Sequence, residues 1–285
     1  MTTRMEFSEA PTGWPMLVKA AISRKPGLKE GEDIGRFEAA VQGVSTAGLS
    51  EYQDICGFPR SDILPITFPQ VVASPLHLAI LTHKSFPLPA MGLVHVSSRI
   101  TQERGIRADE SLDVNCWVEG QRPARKGCEA DLITQVSVGG ELVWESITTV
   151  LSRAAKGHGE KSAAPPVPEP VPSRSTVWKM KTDLGRRYSA IAGDRNPIHL
   201  YEWSAKLLGF RRHIIHGMWL LARAMAELDD DCGDGRLVVD VSFKRPVFLP
   251  GRASFLSGPH EKGTAFRLLH PETEKVHLYG QVTTG

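Results

Sequence analysis

Residues 188–199 place an acidic side chain and an imidazole on what should be one short loop. Asp194 and His199 are five residues apart, and Gly193 before them permits backbone angles that other residues avoid. The Asn196-Pro197 step disfavours helix and favours an extended or turn geometry. A carboxylate beside an imidazole is the combination that paired proton transfers require. The same residue types also fit a surface turn with a structural histidine, so by themselves they leave both interpretations open.

A proline-rich stretch divides the chain into two halves, and both halves carry copies of the same short motifs. Two short patterns recur in the same order, and their copies lie on either side of a proline-rich stretch at residues 154–175. That stretch favours neither helix nor central strand, because proline lacks the amide donor and has a fixed φ. We therefore expect an extended linker between two copies of one fold. The patterns are Tyr52-x-x-Ile55-x-Gly57 with Tyr188-x-x-Ile191-x-Gly193, and Val94-x-Val96-Ser97 with Val239-x-Val241-Ser242.

Each half shows the same predicted order, in which an irregular segment precedes an apolar helix and several strands. Residues 214–228 are apolar on nearly every helical face, which predicts a helix surrounded by protein. Residues 71–82 predict a shorter helix in the first half, and Gly139-Gly140 predicts a tight hairpin. Strands are predicted at 92–100, 112–118, 130–138 and 142–151, and again at 237–243, 253–256, 264–269 and 276–282.

The composition excludes several classes of function. The 285 residues are 41% apolar and 23% charged, which is typical of a soluble globular protein. The formal net charge is only +2, and no run is rich in Lys and Arg, so a nucleic-acid partner is not expected. No apolar run of about 18 residues exists, so no membrane span is expected. The start does not resemble a secretory signal, and we predict a cytoplasmic location.

The cysteines give no indication of a metal site or a disulfide framework. They are scattered, without a CxxC pair or a Cys/His cluster, which favours reduced thiols. They are Cys56, Cys116, Cys128 and Cys232.

Residues 188–205, followed by Gly209-Phe210 and His216-Gly217-Met218, resemble the signature of the MaoC-like family of (R)-specific enoyl-CoA hydratases and 3-hydroxyacyl-thioester dehydratases. Residues 243–251 are also similar to that family's strand after the central helix. The resemblance covers most of residues 180–255. It implies the hotdog fold, a sheet wrapped around a long helix, and the interconversion of (3R)-hydroxyacyl and trans-2-enoyl thioesters without a cofactor or metal.

By this resemblance Asp194 and His199 are the catalytic pair. A neutral His199 suits removal of the C2 proton, and a protonated Asp194 suits protonation of the leaving hydroxyl, although the two roles can be exchanged. The Gly217 N–H, at the start of the central helix, is the predicted oxyanion donor, with close helix packing as the alternative. Asn196 is predicted to orient the loop or a water molecule, with simple turn formation as the alternative, and His216 is predicted to belong to the substrate site.

One departure from the family pattern and one basic group complete the predicted site. Ala192 stands where many members have a small polar residue, which puts in doubt a hydrogen bond near the acid but not the catalytic pair. Four basic residues are predicted to flank the entrance of the site and to bind the phosphates of CoA or of a carrier-protein phosphopantetheine, with ordinary surface charge as the alternative. They are Arg211, Arg212, Lys244 and Arg245.

The fold class expected is α+β, a double hotdog in which two antiparallel sheets, each wrapped around a central helix, join side by side. Residues 1–153 form a degenerate hotdog that binds the acyl chain, 154–175 the linker, and 176–285 the catalytic hotdog. At the repeat offset Asp194 aligns with Phe58 and His199 with Ile63, so the first half has apolar residues in place of the acid and base.

The expected partner is an acyl-CoA or acyl-carrier-protein thioester, and pairing with a second copy of the chain as a homodimer is left open. Two other functions remain alternatives. A hotdog thioesterase would hydrolyse the thioester, and this chemistry does not account for the Asp194 and His199 pair in its Asn-Pro context. A non-catalytic acyl-binding protein does not account for an intact pair in one half and its loss in the other.

Overall fold

The computed structural model describes residues 2–11, 25, 27–28, 32–90, 93–152, 172–232, 235–261 and 263–285. Within it the chain forms two compact units that do not follow the two halves of the sequence. The first unit comprises Met1–Thr46, Pro69–Ser98 and Asp109–Ala164, and the second comprises Ala47–Phe68, Arg99–Ala108 and Pro165–Gly285. The segments 47–68 and 99–108 from the first half therefore belong with the second half of the sequence.

The helices and strands are numbered here in chain order. The helices are α1 (Leu49–Cys56), α2 (Phe68–Thr82), α3 (Leu184–Ala192), α4 (Glu202–Leu207), α5 (Gly217–Glu227) and α6 (Asp229–Cys232), with a 3₁₀ turn at Pro197–His199. The strands are β1 (Thr2–Phe7), β2 (Arg36–Val44), β3 (Leu93–Gln102), β4 (Leu112–Ala124), β5 (Gly127–Val138), β6 (Glu141–Ser152), β7 (Arg174–Met180), β8 (Leu237–Phe243), β9 (Gly251–His260), β10 (Gly263–Leu269) and β11 (Val276–Thr284).

The first unit is a sheet in the order β1-β2-β4-β5-β6-β3, with α2 packed against it. Strands β2, β4, β5 and β6 pair antiparallel, whereas β1 runs parallel to β2. The predicted hairpin is confirmed, since Gly139 and Gly140 both have positive φ between β5 and β6. Two hydrogen bonds join side chains of helix α2 to the sheet. His77 Nε2 lies 2.7 Å from Thr134 Oγ1, and the Ser146 hydroxyl donates to Gln70 Oε1 over 2.8 Å.

The second unit is an antiparallel sheet in the order β8-β11-β10-β9-β7, with α5 packed on it. Trp219 of α5 contacts Trp178 of β7 edge to face, with ring centroids 6.2 Å apart. At the other end of the sheet, a Cβ on Gly217 would lie 3.2 Å from the Phe243 ring of β8. The close approach of the Phe243 ring favours glycine at position 217, and the Trp219 ring packs against the opposite edge of the sheet.

The prediction that the first-half helix is the shorter is wrong. Helix α2 has 15 residues and α5 has 11. The predicted start of α5 at residue 214 is too early, because Ile214 forms a bridge with Phe248 and the Ile215 N–H donates to the Val247 carbonyl over 3.0 Å. Ile214 and Ile215, whose apolar side chains extend the helical pattern, therefore form strand-like pairs, and the helix begins only at Gly217.

The architecture is an α+β double hotdog. Residues 154–171 of the predicted linker lie outside the described residues, and Arg174 and Ser175 at its predicted end already belong to β7. No helix among the described residues is long and apolar enough to cross a membrane.

Candidate active site

Helix α3 delivers the acid to the site because of the way it ends. Gly193 adopts φ 74° at the C-terminus of the helix, and its N–H donates to the Ser189 carbonyl over 3.1 Å. A positive φ with such a bond is the usual helix termination, and glycine adopts it without steric cost. Asp194 is therefore the first residue of the loop, with its side chain about half exposed.

Two side-chain turns then hold the loop in shape. Asp194 Oδ1 accepts the Asn196 N–H over 3.0 Å, and Asn196 Oδ1 accepts the Ile198 N–H over 3.3 Å. Pro197 follows as the first residue of the 3₁₀ turn, where its missing N–H leaves no lost hydrogen bond. Asn196 thus caps the turn that carries His199, as the turn-forming alternative predicts, and an orienting contact with a water molecule stays a prediction.

Helix α3 also presses directly against the turn that it precedes. A Cβ on Gly185 would lie 2.2 Å from the carbonyl oxygen of His199, so only glycine fits without displacing the backbone. One residue further along the same contact, Arg186 Nη1 donates to the Leu200 carbonyl over 2.9 Å. The position of the imidazole is thereby set by the helix behind it.

The tautomer of His199 follows from its hydrogen bond. Its Nδ1 lies 2.9 Å from the Ile214 carbonyl oxygen, and a carbonyl can only accept, so Nδ1 carries the proton and Nε2 carries the lone pair. That Nε2 faces Asp194 Oδ2 at 3.9 Å. The imidazole is buried, and burial lowers its pKa below the usual value while the Asp194 carboxylate acts in the opposite direction.

His216 stacks on His199 and supports the loop from behind. The two ring centroids are 3.7 Å apart with an interplanar angle of 24°. His216 Nε2 lies 2.9 Å from the Asp194 backbone carbonyl and must donate to it, which leaves Nδ1 as a buried acceptor without a partner among the described residues. Burial, and then the neighbouring His199, lower the pKa of His216 to about 3, so this ring stays neutral. In this geometry His216 holds the loop; its predicted role in binding substrate stays a prediction.

These three side chains also lie close enough together for a metal ion to be considered. One ligand atom from each of Asp194, His199 and His216 falls within 4.8 Å of the others. The hydrogen bonds argue against a metal, because His216 Nε2 is used as a donor to a carbonyl and offers no lone pair there. The arrangement suits proton transfer between neutral and charged partners better than metal binding.

The predicted oxyanion donor lies next to this group. Gly217 is the first residue of α5, so its N–H has no acceptor one turn back within the helix and is at the positive end of the helix dipole. The absence of a side chain is explained by the Phe243 ring described above. Gly217 directly follows His216 in the chain. A contact between the Gly217 N–H and a substrate oxygen stays a prediction.

Two buried tyrosines from the repeated motif extend the site, and the sequence reasoning did not assign them to it. The Tyr188 ring lies 5.0 Å from the His216 ring, and the Tyr52 ring lies 6.3 Å from that of Tyr188. The Tyr52 hydroxyl donates to Thr67 over 2.8 Å. Burial raises the pKa of both tyrosines well above the usual value, so both remain neutral donors. Their matching positions in the repeat were the signal that could have identified them.

Helix α1, which carries Tyr52, is also hydrogen-bonded to α5, the central helix of the second unit. Trp219 Nε1 donates to the Ile55 carbonyl over 2.9 Å, and Arg223 Nη1 donates to the Cys56 carbonyl over 3.4 Å. Helix α1 ends at Gly57 with φ 83°, as α3 ends at Gly193. Phe58 follows where the acid would stand, and its ring stacks on Tyr52 at 6.3 Å. The first copy of the motif therefore supports helix α5 through its backbone carbonyls.

The four predicted phosphate-binding residues are at the surface in two groups. Arg211 and Arg212 lie over the Phe248 ring, with the Arg211 guanidinium carbon 4.2 Å from its centroid. Lys244 lies over the Tyr279 ring at 4.9 Å, and Arg245 Nη1 donates to the Val276 carbonyl over 3.2 Å. Aromatic stacking leaves the charged ends of the first three residues available to an anion.

Three comparisons with known proteins agree on the kind of chain. Residues 164–277 match the family model described as MaoC like domain. The chain is 30% identical to 3-hydroxyacyl-thioester dehydratase X of Mycobacterium tuberculosis over 275 residues, which cover 95% of this chain and 98% of that protein. It is also 30% identical to 3-hydroxyacyl-thioester dehydratase Y of the same organism over 176 residues, 58% of this chain and 54% of that protein. The crystal structure of HtdX from Mycobacterium tuberculosis matches with a TM-score of 0.76 and 29% identity, covering 87% of this chain and all of that one.

The contact between α3 and the 3₁₀ turn predicts that Gly185→Ala impairs turnover. The added methyl group must displace the His199 carbonyl, and a displacement of about 1 Å in a catalytic group costs roughly a hundredfold in rate. Steady-state kinetics with an enoyl thioester, combined with thermal melts, would measure the effect. Gly235→Ala is the matched control, because its Cβ would have nothing within 4 Å. A folded Gly185→Ala protein with full turnover would contradict the prediction.

Proposed function

The chain belongs to the MaoC-like family of 3-hydroxyacyl-thioester dehydratases, and from this premise we propose that Asp194 and His199 carry out its proton transfers. Membership makes it a hydro-lyase that acts on acyl thioesters. The observation that carries the proposed mechanism is the hydrogen bond from His199 Nδ1 to the Ile214 carbonyl, because it leaves the Nε2 lone pair facing Asp194.

In the dehydration direction His199 is the base and Asp194 is the acid. The Nε2 lone pair takes the C2 proton of the 3-hydroxyacyl thioester, the C2–H electron pair becomes the C2–C3 double bond, and the C3–O bond breaks. A protonated Asp194 gives its proton to the departing hydroxyl, so the products are the trans-2-enoyl thioester, water and an Asp194 carboxylate facing protonated His199. Return of one proton from His199 to Asp194 resets the site, and hydration follows the same path in reverse.

The electrostatics of the described residues support this assignment. Burial favours the neutral form of His199 at the start of the step, and the carboxylate at 3.9 Å stabilises the imidazolium once it forms. The Gly217 N–H, at the positive end of α5, is suited to the negative charge that builds on the thioester oxygen when the C2 proton leaves. His216 keeps the loop in place without adding a positive charge beside His199.

The finer features of the substrate belong to the proposal as well. Arg211, Arg212, Lys244 and Arg245 bind the phosphates of CoA or of a phosphopantetheine arm, and the first half binds the acyl chain, with (3R) stereochemistry at the hydroxyl carbon. Both compositional evidence and the free thiols of the four described cysteines support a cytoplasmic location. A relative that is 30% identical and is matched over 95% of this chain is a dehydratase, which favours dehydration over the thioesterase and the non-catalytic acyl-binding alternatives.

The first test is hydration of trans-2-enoyl-CoA substrates of several chain lengths. We expect loss of the conjugated enoyl thioester absorbance, and a product that an (R)-specific 3-hydroxyacyl dehydrogenase oxidises while an (S)-specific one does not. A saturated acyl-CoA of the same length is the control, and it should release no thiol. Formation of the (S) product would overturn the stereochemical part of the proposal, and thiol release without hydration would overturn the whole.

Substitution of the catalytic pair tests the mechanism. We expect Asp194→Asn and His199→Ala each to lower kcat by roughly a hundredfold to ten-thousandfold, the range for loss of a general acid or base. The double variant should be little worse than either alone, since both groups serve one proton-transfer event. Phe58→Ala is the matched control from the first motif copy. It should lose stability, because Phe58 is buried against Tyr52, and should largely keep the chemical step.

A folded Asp194→Asn or His199→Ala protein with near wild-type kcat would show that the proposed mechanism is wrong. Thermal melts on each variant separate a loss of catalysis from a loss of fold.

The lowered pKa of His199 predicts the acid limb of the pH profile. The base form of a group with a lowered pKa persists to lower pH, so kcat/KM for dehydration should hold below pH 6.5 and fall only as pH drops through the lowered value. Below about 6.5 the unfolded chain binds more protons than the folded one at His199 and His216, so stability should decline as pH falls. Kinetics and melts in the same buffers distinguish the two effects. An acid limb centred above 6.5 would contradict the prediction.

A further inference from the structure

An exposed apolar patch lies on the second unit, next to the catalytic loop. Tyr201, Trp203, Leu207 and Leu208 are 47%, 65%, 79% and 37% exposed, and they are four of the six large hydrophobic residues exposed among those the structure describes. We call these four residues the α4 patch. Large hydrophobic side chains exposed together, unlike scattered ones, indicate a surface that is covered by something.

The geometry of α4 makes the patch one surface. Trp203 and Leu207 are four residues apart on the helix and so lie on the same face, while Ser204 and Ala205 are buried on the opposite side. The Tyr201 ring stacks on Trp203 with centroids 6.2 Å apart. The outward aromatic and aliphatic groups are therefore presented together by a short helix whose other face is fixed.

The patch is attached to the turn that carries the base. The Ser204 hydroxyl donates to the Pro197 carbonyl over 2.7 Å, and Pro197 begins the same 3₁₀ turn that His199 ends. Only Leu200 separates His199 from Tyr201 in the chain. A molecule bound to the patch would hold its cargo beside the catalytic loop.

The stretch of sequence that contains the patch carries an excess of positive charge. Residues 179–212 contain eight Lys and Arg against three Asp and Glu, whereas the net charge of the whole chain is only +2. Arg186 lies over the Tyr201 ring at 4.8 Å, and Glu202, one of the acids, is paired with Lys206 at 2.6 Å. A second copy of the chain would bring the same positive surface against itself, while an acidic partner would be attracted.

We propose that the α4 patch is the docking surface for an acidic carrier protein that delivers the acyl thioester to this site. The inference rests on the proposed function and extends it, because it selects a protein-bound thioester over free CoA. The phosphates and the thioester arm of a CoA molecule do not account for four large apolar side chains exposed together. A carrier protein buries apolar surface at the centre of its contact and places acidic residues against the surrounding basic ones.

The experiment compares one enoyl group on two carriers. The double variant Trp203→Ser with Leu207→Ser is assayed with trans-2-octenoyl-CoA and with the same enoyl group on a purified acidic acyl carrier protein. We expect kcat/KM for the carrier-protein substrate to fall at least tenfold and that for the CoA substrate to stay within about twofold. Leu142→Ser, which also removes an exposed apolar side chain (42%) but outside the patch, should change neither value.

Every other result overturns the inference. Equal losses on both substrates would mean that the substitutions disturb the catalytic loop, and no loss on either would mean that the patch binds no carrier. Loss of a concentration-dependent dimer in ultracentrifugation, or of binding to phosphatidylglycerol-containing vesicles, without a selective effect on the carrier-protein substrate, would assign the patch to self-association or a lipid surface. Absence of wild-type hydration of both substrates would instead refute the proposed function, so the two failures are distinguishable.

Discussion

The hydrogen bond from His199 to the Ile214 carbonyl is the constraint on which the rest of the site depends. It fixes the tautomer of the imidazole, and it does so through a residue that is itself held from two sides. The Ile214 N–H donates to the Ile198 carbonyl over 3.0 Å, and Ile214 forms a bridge with Phe248. The His199 imidazole is therefore hydrogen-bonded to strand-like backbone. This also explains why the central helix cannot begin earlier, since the two residues before His216 are engaged in these bonds.

The side chains around this bond differ strongly in their exposure to solvent. His199 and His216 stack with little access to solvent, whereas Asp194 is about half exposed. Two neutral imidazoles can stack because each donates one N–H to a backbone carbonyl, which compensates for the loss of water. The contrast in exposure distinguishes the surroundings of the proposed acid from those of the proposed base, although the two residues are only five positions apart in the chain.

Much of this was accessible from the sequence, and the limits have physical causes. The strand at residues 237–243, the glycine hairpin and the irregular backbone that carries Asp194 and His199 are predictable because each depends on local residue types. The start of α5 was misplaced because Ile214 and Ile215 have apolar side chains that fit helix and strand equally well, and only their distant partner Phe248 decides. The tautomer of His199 and the stacking of His216 were out of reach, because both depend on backbone groups that a sequence pattern does not locate. The joining of α1 to the catalytic unit was also missed, although the repeated tyrosine hinted at it.

The use of the Ile55 carbonyl as an acceptor for Trp219 has a consequence for how the chain can be divided. The acceptor lies in the first half of the sequence and the donor in the second half, 164 residues further on. A chain cut back to residues 176–285 would keep Asp194 and His199 but would leave the buried Trp219 N–H without its acceptor, at a cost of about 1–3 kcal/mol. The second half of the sequence therefore cannot be separated from the first without losing part of its own packing.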